Sequence, residues 1–312
     1  MSSSDASVVE RVLAQWRPDS LLTVVGPTAS GKTALAVALC ERIGGEVVSA
    51  DSIQVYRQFD IGSGKPGREE LARAPHHLVS AIDPLEHIDA AGWAALAARA
   101  IADVRARGRI PIVCGGTFLW IKALLYGLAD APAGNAAMRE GFRRAAEIEG
   151  RAALHARLRA VDPASAERLH PNDFIRVSRA LEVYEITSKP MSEWQKEHGF
   201  ATARHASQLF GLVCSPAVLT QRIRARAAGW LAGGWIEEVE SLRERGFDEA
   251  RAMRSVGYAE VRAMLAGELR HHELETAIVR ATRVFARRQA TWLNHVPVTW
   301  IDASPSAHDH PS

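Results

Sequence analysis

The chain has 312 residues, of which 47 % are hydrophobic and 24 % charged, with a formal net charge of +2. That balance belongs to a soluble globular chain able to bury a sizeable core, and it excludes wholesale disorder and fibrous repeats. Charges break every apolar run well short of the roughly 18 residues of a membrane span, so no membrane association is expected. The opening MSSSDASVVERV lacks a basic segment followed by an apolar one, and a cytoplasmic location is expected. Cys40, Cys114 and Cys214 are odd in number and scattered, without CxxC spacing. They are read as small buried hydrophobes, not as a disulfide framework or a zinc site.

Residues 21–25 (LLTVV) form a short β-branched apolar run that leads through a glycine-containing turn into an Ala/Leu-rich helix at 33–43. The strand signal recurs at 46–51, 77–83 and 109–116, with a helix at 90–107 that stops at Gly108. Alternating helices and continuously apolar strands predict an α/β fold with a parallel sheet covered on both faces. From about 125 to 205 the strands vanish, and the segment is charged, helical in period and broken by Pro132, Pro163, Pro171 and Pro190. Strand character returns at 208–215 and 296–302. The expected organisation is a P-loop core of 1–124 and 206–302, a helical insertion domain at 125–205, and a disordered tail at 303–312.

Only five of the 38 cationic residues are lysine. An arginine bias permits a nucleic-acid partner, and a GC-rich genome produces the same bias. Distribution says more. No acidic residue lies between Glu275 and Asp302, while Arg280, Arg283, Arg287 and Arg288 recur at helical spacing, a candidate phosphate-binding stripe.

The strongest motif is Gly26-Pro27-Thr28-Ala29-Ser30-Gly31-Lys32-Thr33, a full G-x-x-x-x-G-K-[ST] match between a strand and a helix. Its glycines let backbone amides converge on phosphate oxygens, Lys32 adds a charge, and Thr33 is placed to hold Mg²⁺. The loop does not identify the phosphate. Asp51 ends the second strand, at the sheet edge where ligands gather. There it can orient magnesium through water, take a proton from an acceptor, or cap a turn. Gly115-Gly116-Thr117 follows another strand at the same edge, Thr117 being either a ligand at the reacting centre or a helix N-cap. Arg226 lies on a helix apolar at Leu219, Ile223, Trp230 and Leu231, where it is either solvated or set against the phosphate loop. His76 and His77 have no partner at metal spacing.

With these residues assembled, the chain resembles the bacterial tRNA dimethylallyltransferase family, also called tRNA isopentenyltransferases. The matching pieces are GPTASGKTALA (26–36), SADSIQVYRQFDIGSGKP (49–66), PHHL (75–78), GGTFLWIKALLYGL (115–128), ND with IRVSRALEVY, SVGY (255–258) and ATRVFARRQATWL (281–293). They run in family order over roughly residues 20–302. The resemblance implies transfer of a dimethylallyl group from dimethylallyl diphosphate to the exocyclic amine of the adenosine 3′ of the anticodon, with Mg²⁺. It assigns the loop from Gly26 to Thr33, together with Arg226, to the diphosphate, Asp51 to the general base, and Thr117 to the site beside the reacting amine. Asp51, Ser52, Ile53, Gln54, Thr117 and Arg139 fall where the family touches the tRNA anticodon stem-loop. So do Ile175, Arg176, Arg179, Arg254, Tyr258, Arg287, Arg288, Gln289 and Trp292. A monomer is expected.

The chain departs from the family pattern at Ser63-Gly64-Lys65, Trp120, Ile175 and Ala259-Glu260. Ser63 keeps a hydroxyl and Trp120 an aromatic ring. Ile175 loses an amide, and Glu260 puts a charge where phosphate would be repelled. A small P-loop kinase of a nucleotide or metabolite accounts for the loop, Mg²⁺ and Asp51 but not for QVYR or RRQATW. An RNA-binding module with a structural nucleotide leaves Asp51 and Thr117 idle. A relative that prenylates free adenine nucleotides is a further alternative within the family, and the helical insertion and the C-terminal arginine face favour tRNA over a small acceptor.

Overall fold

Every residue of β1 (Leu21–Val25) is buried, as an apolar run with a strand on either side must be. The computed structural model describes residues 3–200, 202–294 and 296–302, with the backbone alone at 3–5. The tail expected at 303–312 lies outside them. After α1 (Ser3–Leu13) and β1 come α2 (Lys32–Ile43), β2 (Gly45–Ala50), α3 (Arg68–Arg73), β3 (His76–His77), α4 (Ala90–Ala106), β4 (Ile110–Gly115) and α5 (Phe118–Tyr126). Then follow α6 (Ala136–Ile148), α7 (Arg151–Val161), α8 (Pro163–Arg168), α9 (Phe174–Thr187) and α10 (Met191–His198). The chain closes with β5 (Ser207–Val213), α11 (Pro216–Ala232), α12 (Trp235–Glu244), α13 (Tyr258–Leu265), α14 (Leu274–Leu293) and β6 (Val298–Asp302).

The six strands form one parallel sheet in the order β3-β2-β4-β1-β5-β6. Helices α1 and α2 bury Val9, Val12, Leu35 and Leu39 against Leu22, Val24 and Ile112 on one face. Helix α4 packs Trp93, Ala97 and Ile101 against β2 and β4. Because all strands run one way, the loops after β1, β2 and β4 emerge together at one edge.

The strand expected at 77–83 shrinks to two residues, with only a bridge between Tyr56 and Ile82 beyond it. Leu78 and Ser80 take positive φ of 61° and 52°, which extended backbone cannot contain. Cys40 and Cys114 are buried and their thiols are pushed up to about 12 by burial, whereas Cys214 is half-buried. Gly115 pairs with Ala50, and a Cβ there would lie 2.2 Å from the Ala50 carbonyl oxygen. Gly115→Ala is therefore expected to cost about 2–3 kcal/mol, read as a lowered denaturant midpoint.

The described residues form two compact units, one within Met1–Leu125 and Arg204–Ser312 and the other within Tyr126–Ala203. In the second, Phe142, Leu154, Leu158, Val177 and Leu181 form a separate core. Two of its prolines sit where the ring is tolerated, Pro163 opening α8 and Pro190 preceding α10. Glu182 is fully buried and accepts from Arg139 Nε (3.2 Å), Arg179 Nη1 (2.5 Å) and the Asn135 amide (2.5 Å). Burial opposes its ionisation, but these hydrogen bonds and the two guanidinium charges outweigh burial and hold its carboxyl below the usual range. A depressed carboxyl stabilises above its unfolded pKa, and that stability is lost as pH falls through the lower folded value. Acid titration of folding should thus show a Glu182-dependent loss, and Glu182→Ala should cost about 3–5 kcal/mol at neutral pH.

Candidate active site

The turn after β1 is closed by Gly31, whose φ of 97° is left-handed, and it opens directly into α2. Lys32 Nζ donates to the Pro27 carbonyl at 2.9 Å. From α11, Arg226 Nη2 donates to Thr28 Oγ1 at 2.7 Å, and Arg222 Nη1 donates to the Ser30 carbonyl at 3.2 Å. Arg226 also lies 4.7 Å over the Trp230 ring, which fixes its plane. Sequence reasoning missed Arg222, although its spacing of four from Arg226 places both on one helix face.

Thr28, Lys32, Arg222 and Arg226 line a cavity of about 300 Å³ together with Thr33, Ser49, Asp51 and Gln54. Burial holds the Lys32 ammonium below the ordinary lysine value, while the negative charge of Asp51 pulls it back up. Burial lowers the Arg226 guanidinium as well, again against the pull of Asp51. Two cations are thus held with incomplete compensation beside the β1–α2 loop, an arrangement suited to a polyanion.

Of the tasks expected of Asp51, the structure contains the turn cap. Its Oδ1 accepts the Ile53 and Gln54 amides at 2.9 and 3.2 Å, closing a turn. Its Oδ2 has no hydrogen-bond partner among the described residues and remains available as an acceptor. Gln54 donates to the Gly64 carbonyl at 2.7 Å, tying this turn to the Ser63-Gly64-Lys65 loop. Thr117 Oγ1 accepts the Ser52 amide at 3.0 Å, so the hydroxyl braces the Asp51 turn and its own proton can still be donated.

The remaining expected residues separate by exposure. Arg287 and Arg288 are exposed on α14, as are Arg280 and Arg283, and none of the four has an ion-pair partner among the described residues. Trp292 is 39 % exposed and stacks on Phe118 with ring centroids 6.1 Å apart. Arg254 pairs with Glu249 at 2.6 Å. Tyr258 is buried and donates to Glu238 Oε1 at 2.6 Å, and its hydroxyl is pushed well up by burial. Glu238 Oε2 in turn accepts the Asp60 and Ile61 amides. Gln289 is buried between Thr28 and Gly116.

In the insertion, Ile175 is 79 % exposed, and Arg176 pairs with Asp173 at 2.6 Å. Of the family departures in the core, Glu260 accepts the Gly257 amide at 2.6 Å and so starts α13. Trp120 stacks on Trp93 at 5.2 Å. No cluster of three or more metal-binding His, Cys, Asp or Glu side chains occurs among the described residues.

The family model for IPP transferase matches residues 54–296, and a second, for isopentenyl transferase, matches residues 20–79. A tRNA dimethylallyltransferase of Sorangium cellulosum is 60 % identical over 91 % of this chain and 90 % of its own length. One of Anaeromyxobacter dehalogenans is 50 % identical over 90 % of this chain and 94 % of its own. The crystal structure of the tRNA isopentenylpyrophosphate transferase of Bacillus halodurans superposes with a TM-score of 0.66 at 35 % identity, covering 91 % of this chain and 90 % of that one. A eukaryotic dimethylallyltransferase, captured in crystallographic snapshots acting on tRNA, gives a TM-score of 0.77 at 27 % identity, covering 92 % of this chain and 75 % of that one. A P-loop parallel sheet with an arginine-bearing helix against its phosphate loop, and family agreement along nearly the whole chain, make this protein a member of the IPP transferase family.

Proposed function

We propose that the chain transfers a dimethylallyl group from dimethylallyl diphosphate to the exocyclic amine of the adenosine 3′ of the anticodon in tRNA, releasing diphosphate. The observation that carries this reading is the convergence of Lys32, Arg226 and the β1–α2 loop on one cavity that Asp51 also lines. The adenine lone pair is delocalised into the ring, so the amine is a weak nucleophile. Its nitrogen forms a bond to the allylic carbon as the carbon–oxygen bond to diphosphate breaks, and the electron pair leaves with the diphosphate. Asp51 Oδ2 takes the proton released from the amine. Lys32, Arg226 and the loop amides stabilise the charge growing on the leaving group, more in the transition state than before it.

The donor set suits a hard cation. Thr33 and Asp51 both present oxygen to the cavity, and magnesium needs few protein ligands when phosphates supply others. Thr33 would hold the ion, which would neutralise diphosphate charge. The unpaired arginines of α14 and the Trp292 face suit an RNA backbone and an unstacked base. Arg139, Ile175, Arg176 and Arg179 are assigned to tRNA on the family resemblance. One chain contains every residue named here, so the reading requires no second subunit. Among the described residues no helix is long and apolar enough to cross a membrane, and cytoplasmic action is inferred from the tRNA substrate.

The test is single-turnover transfer of labelled dimethylallyl from its diphosphate to unmodified tRNA bearing that adenosine, run beside ATP. Label in the tRNA from the prenyl donor alone supports the proposal. ATP consumption without transfer would replace it with the kinase reading.

A further inference from the structure

Gln289 is 7 % exposed, although its neighbours Arg287 and Arg288 on α14 are exposed. Its Oε1 accepts the Thr28 amide at 2.8 Å, and its Nε2 donates to the Gly116 carbonyl at 3.0 Å. The partners fix the amide orientation, because an N–H must face the oxygen and a carbonyl must face the NH₂ group. One side chain thus joins the loop that would hold the diphosphate to the turn that carries Thr117. Thr117 is bonded to the Ser52 amide, and Ser52 follows Asp51. The turn has a glycine where Gln289 meets it, and a Cβ on Gly116 would lie 2.3 Å from Gln289 Nε2.

We propose that Gln289 is a positioning residue that sets the distance between the diphosphate loop and the Thr117–Asp51 turn, and that it does not act by touching tRNA. The proposal rests on the transfer reaction inferred above and assigns to Gln289 a task distinct from that implied by the family resemblance. Transfer requires the allylic carbon, held by its diphosphate, and the amine, held near Thr117 and Asp51, to be within bonding reach. A displacement of about 1 Å between the two loops costs on the order of 100-fold in rate. The β1–β4 ladder, with Val25 opposite Gly115, aligns the bases of the two loops, and beyond that last strand pair the amide bridge holds Thr28 and Gly116 together.

Two variants break the same bridge from opposite ends. Gln289→Glu keeps the acceptor for Thr28 but sets a carboxylate oxygen against the Gly116 carbonyl. Gly116→Ala leaves Gln289 intact and displaces its Nε2. The full chain of each, its folding checked by thermal melting, is assayed in single turnover at saturating dimethylallyl diphosphate and saturating unmodified tRNA. Transfer is expected to fall by about 10- to 100-fold in both, with tRNA affinity within about threefold of wild type. A wild-type rate in either folded variant overturns the proposal, and so does a loss confined to tRNA affinity, which would make Gln289 an RNA contact. If neither variant folds, hydrogen exchange on the wild type decides. Inorganic diphosphate should then slow exchange at 115–118 as well as at 26–33, and protection of 26–33 alone overturns the proposal. Absence of transfer by the wild type would instead refute the reaction on which the proposal rests.

Discussion

Replacing Asp51 by asparagine is expected to slow single-turnover transfer by about 100- to 10,000-fold while diphosphate affinity stays within a few-fold of wild type. Asparagine is the informative choice because Oδ1 is already committed to the Ile53 and Gln54 amides. An amide oxygen makes the same two bonds, so the turn survives. What is lost is the basic oxygen at the Oδ2 position. Alanine would remove base and turn together, and the adjoining Ser52 amide that holds Thr117 would shift with it. Rapid-quench measurement of transfer at saturating substrates isolates the chemical step. Turnover equal to wild type would rule out Asp51 as the proton acceptor.

Replacing Lys32 by methionine is expected to lower transfer by about 100- to 1,000-fold and to weaken diphosphate binding as well. The ammonium is held below its ordinary pKa mainly by burial. Rising pH therefore removes this cation earlier than it would a solvated lysine, and diphosphate affinity of the free protein should decline correspondingly early on the alkaline side. Bound diphosphate stabilises the charged form and raises the pKa again, so binding in that range is coupled to proton uptake. Calorimetry in buffers of different ionisation heat should detect this uptake in wild type. In Lys32→Arg it should disappear, because the guanidinium stays charged throughout. Binding without proton linkage in wild type would show that Lys32 does not meet the diphosphate.

The parallel core was legible because its signals are local. The β1 run is four apolar residues and one threonine, and the phosphate-loop motif is eight contiguous positions that lead from a strand into a helix. Asp51 was legible for the same reason, as the residue that follows β2. The segment at 77–83 misled because its residue types favour a strand while Leu78 and Ser80 adopt left-handed backbone, a choice made by their surroundings. The contacts of Arg222 and Gln289 with the phosphate loop span 192 and 261 positions, and periodicity carries no information at that separation. The period of α14 does place Gln289 off the arginine face, but does not reveal that both ends of its amide are occupied. Tyr258 presents the same difficulty, since its spacing gives no hint that Glu238 lies opposite.

The 261 positions between Thr28 and Gln289 also have a consequence for synthesis. A ribosome adding about 5–20 residues per second releases the phosphate loop roughly 10–50 seconds before the residue that anchors it. For most of that interval β1 lacks β5 and the loop lacks α11, and throughout it the loop lacks Gln289 of α14. A nascent chain therefore carries a complete phosphate-loop motif without the two arginines that face it. The loop gains its last anchor only when the last long helix docks, so a chain cut short before residue 289 should leave the Thr28 amide without its acceptor.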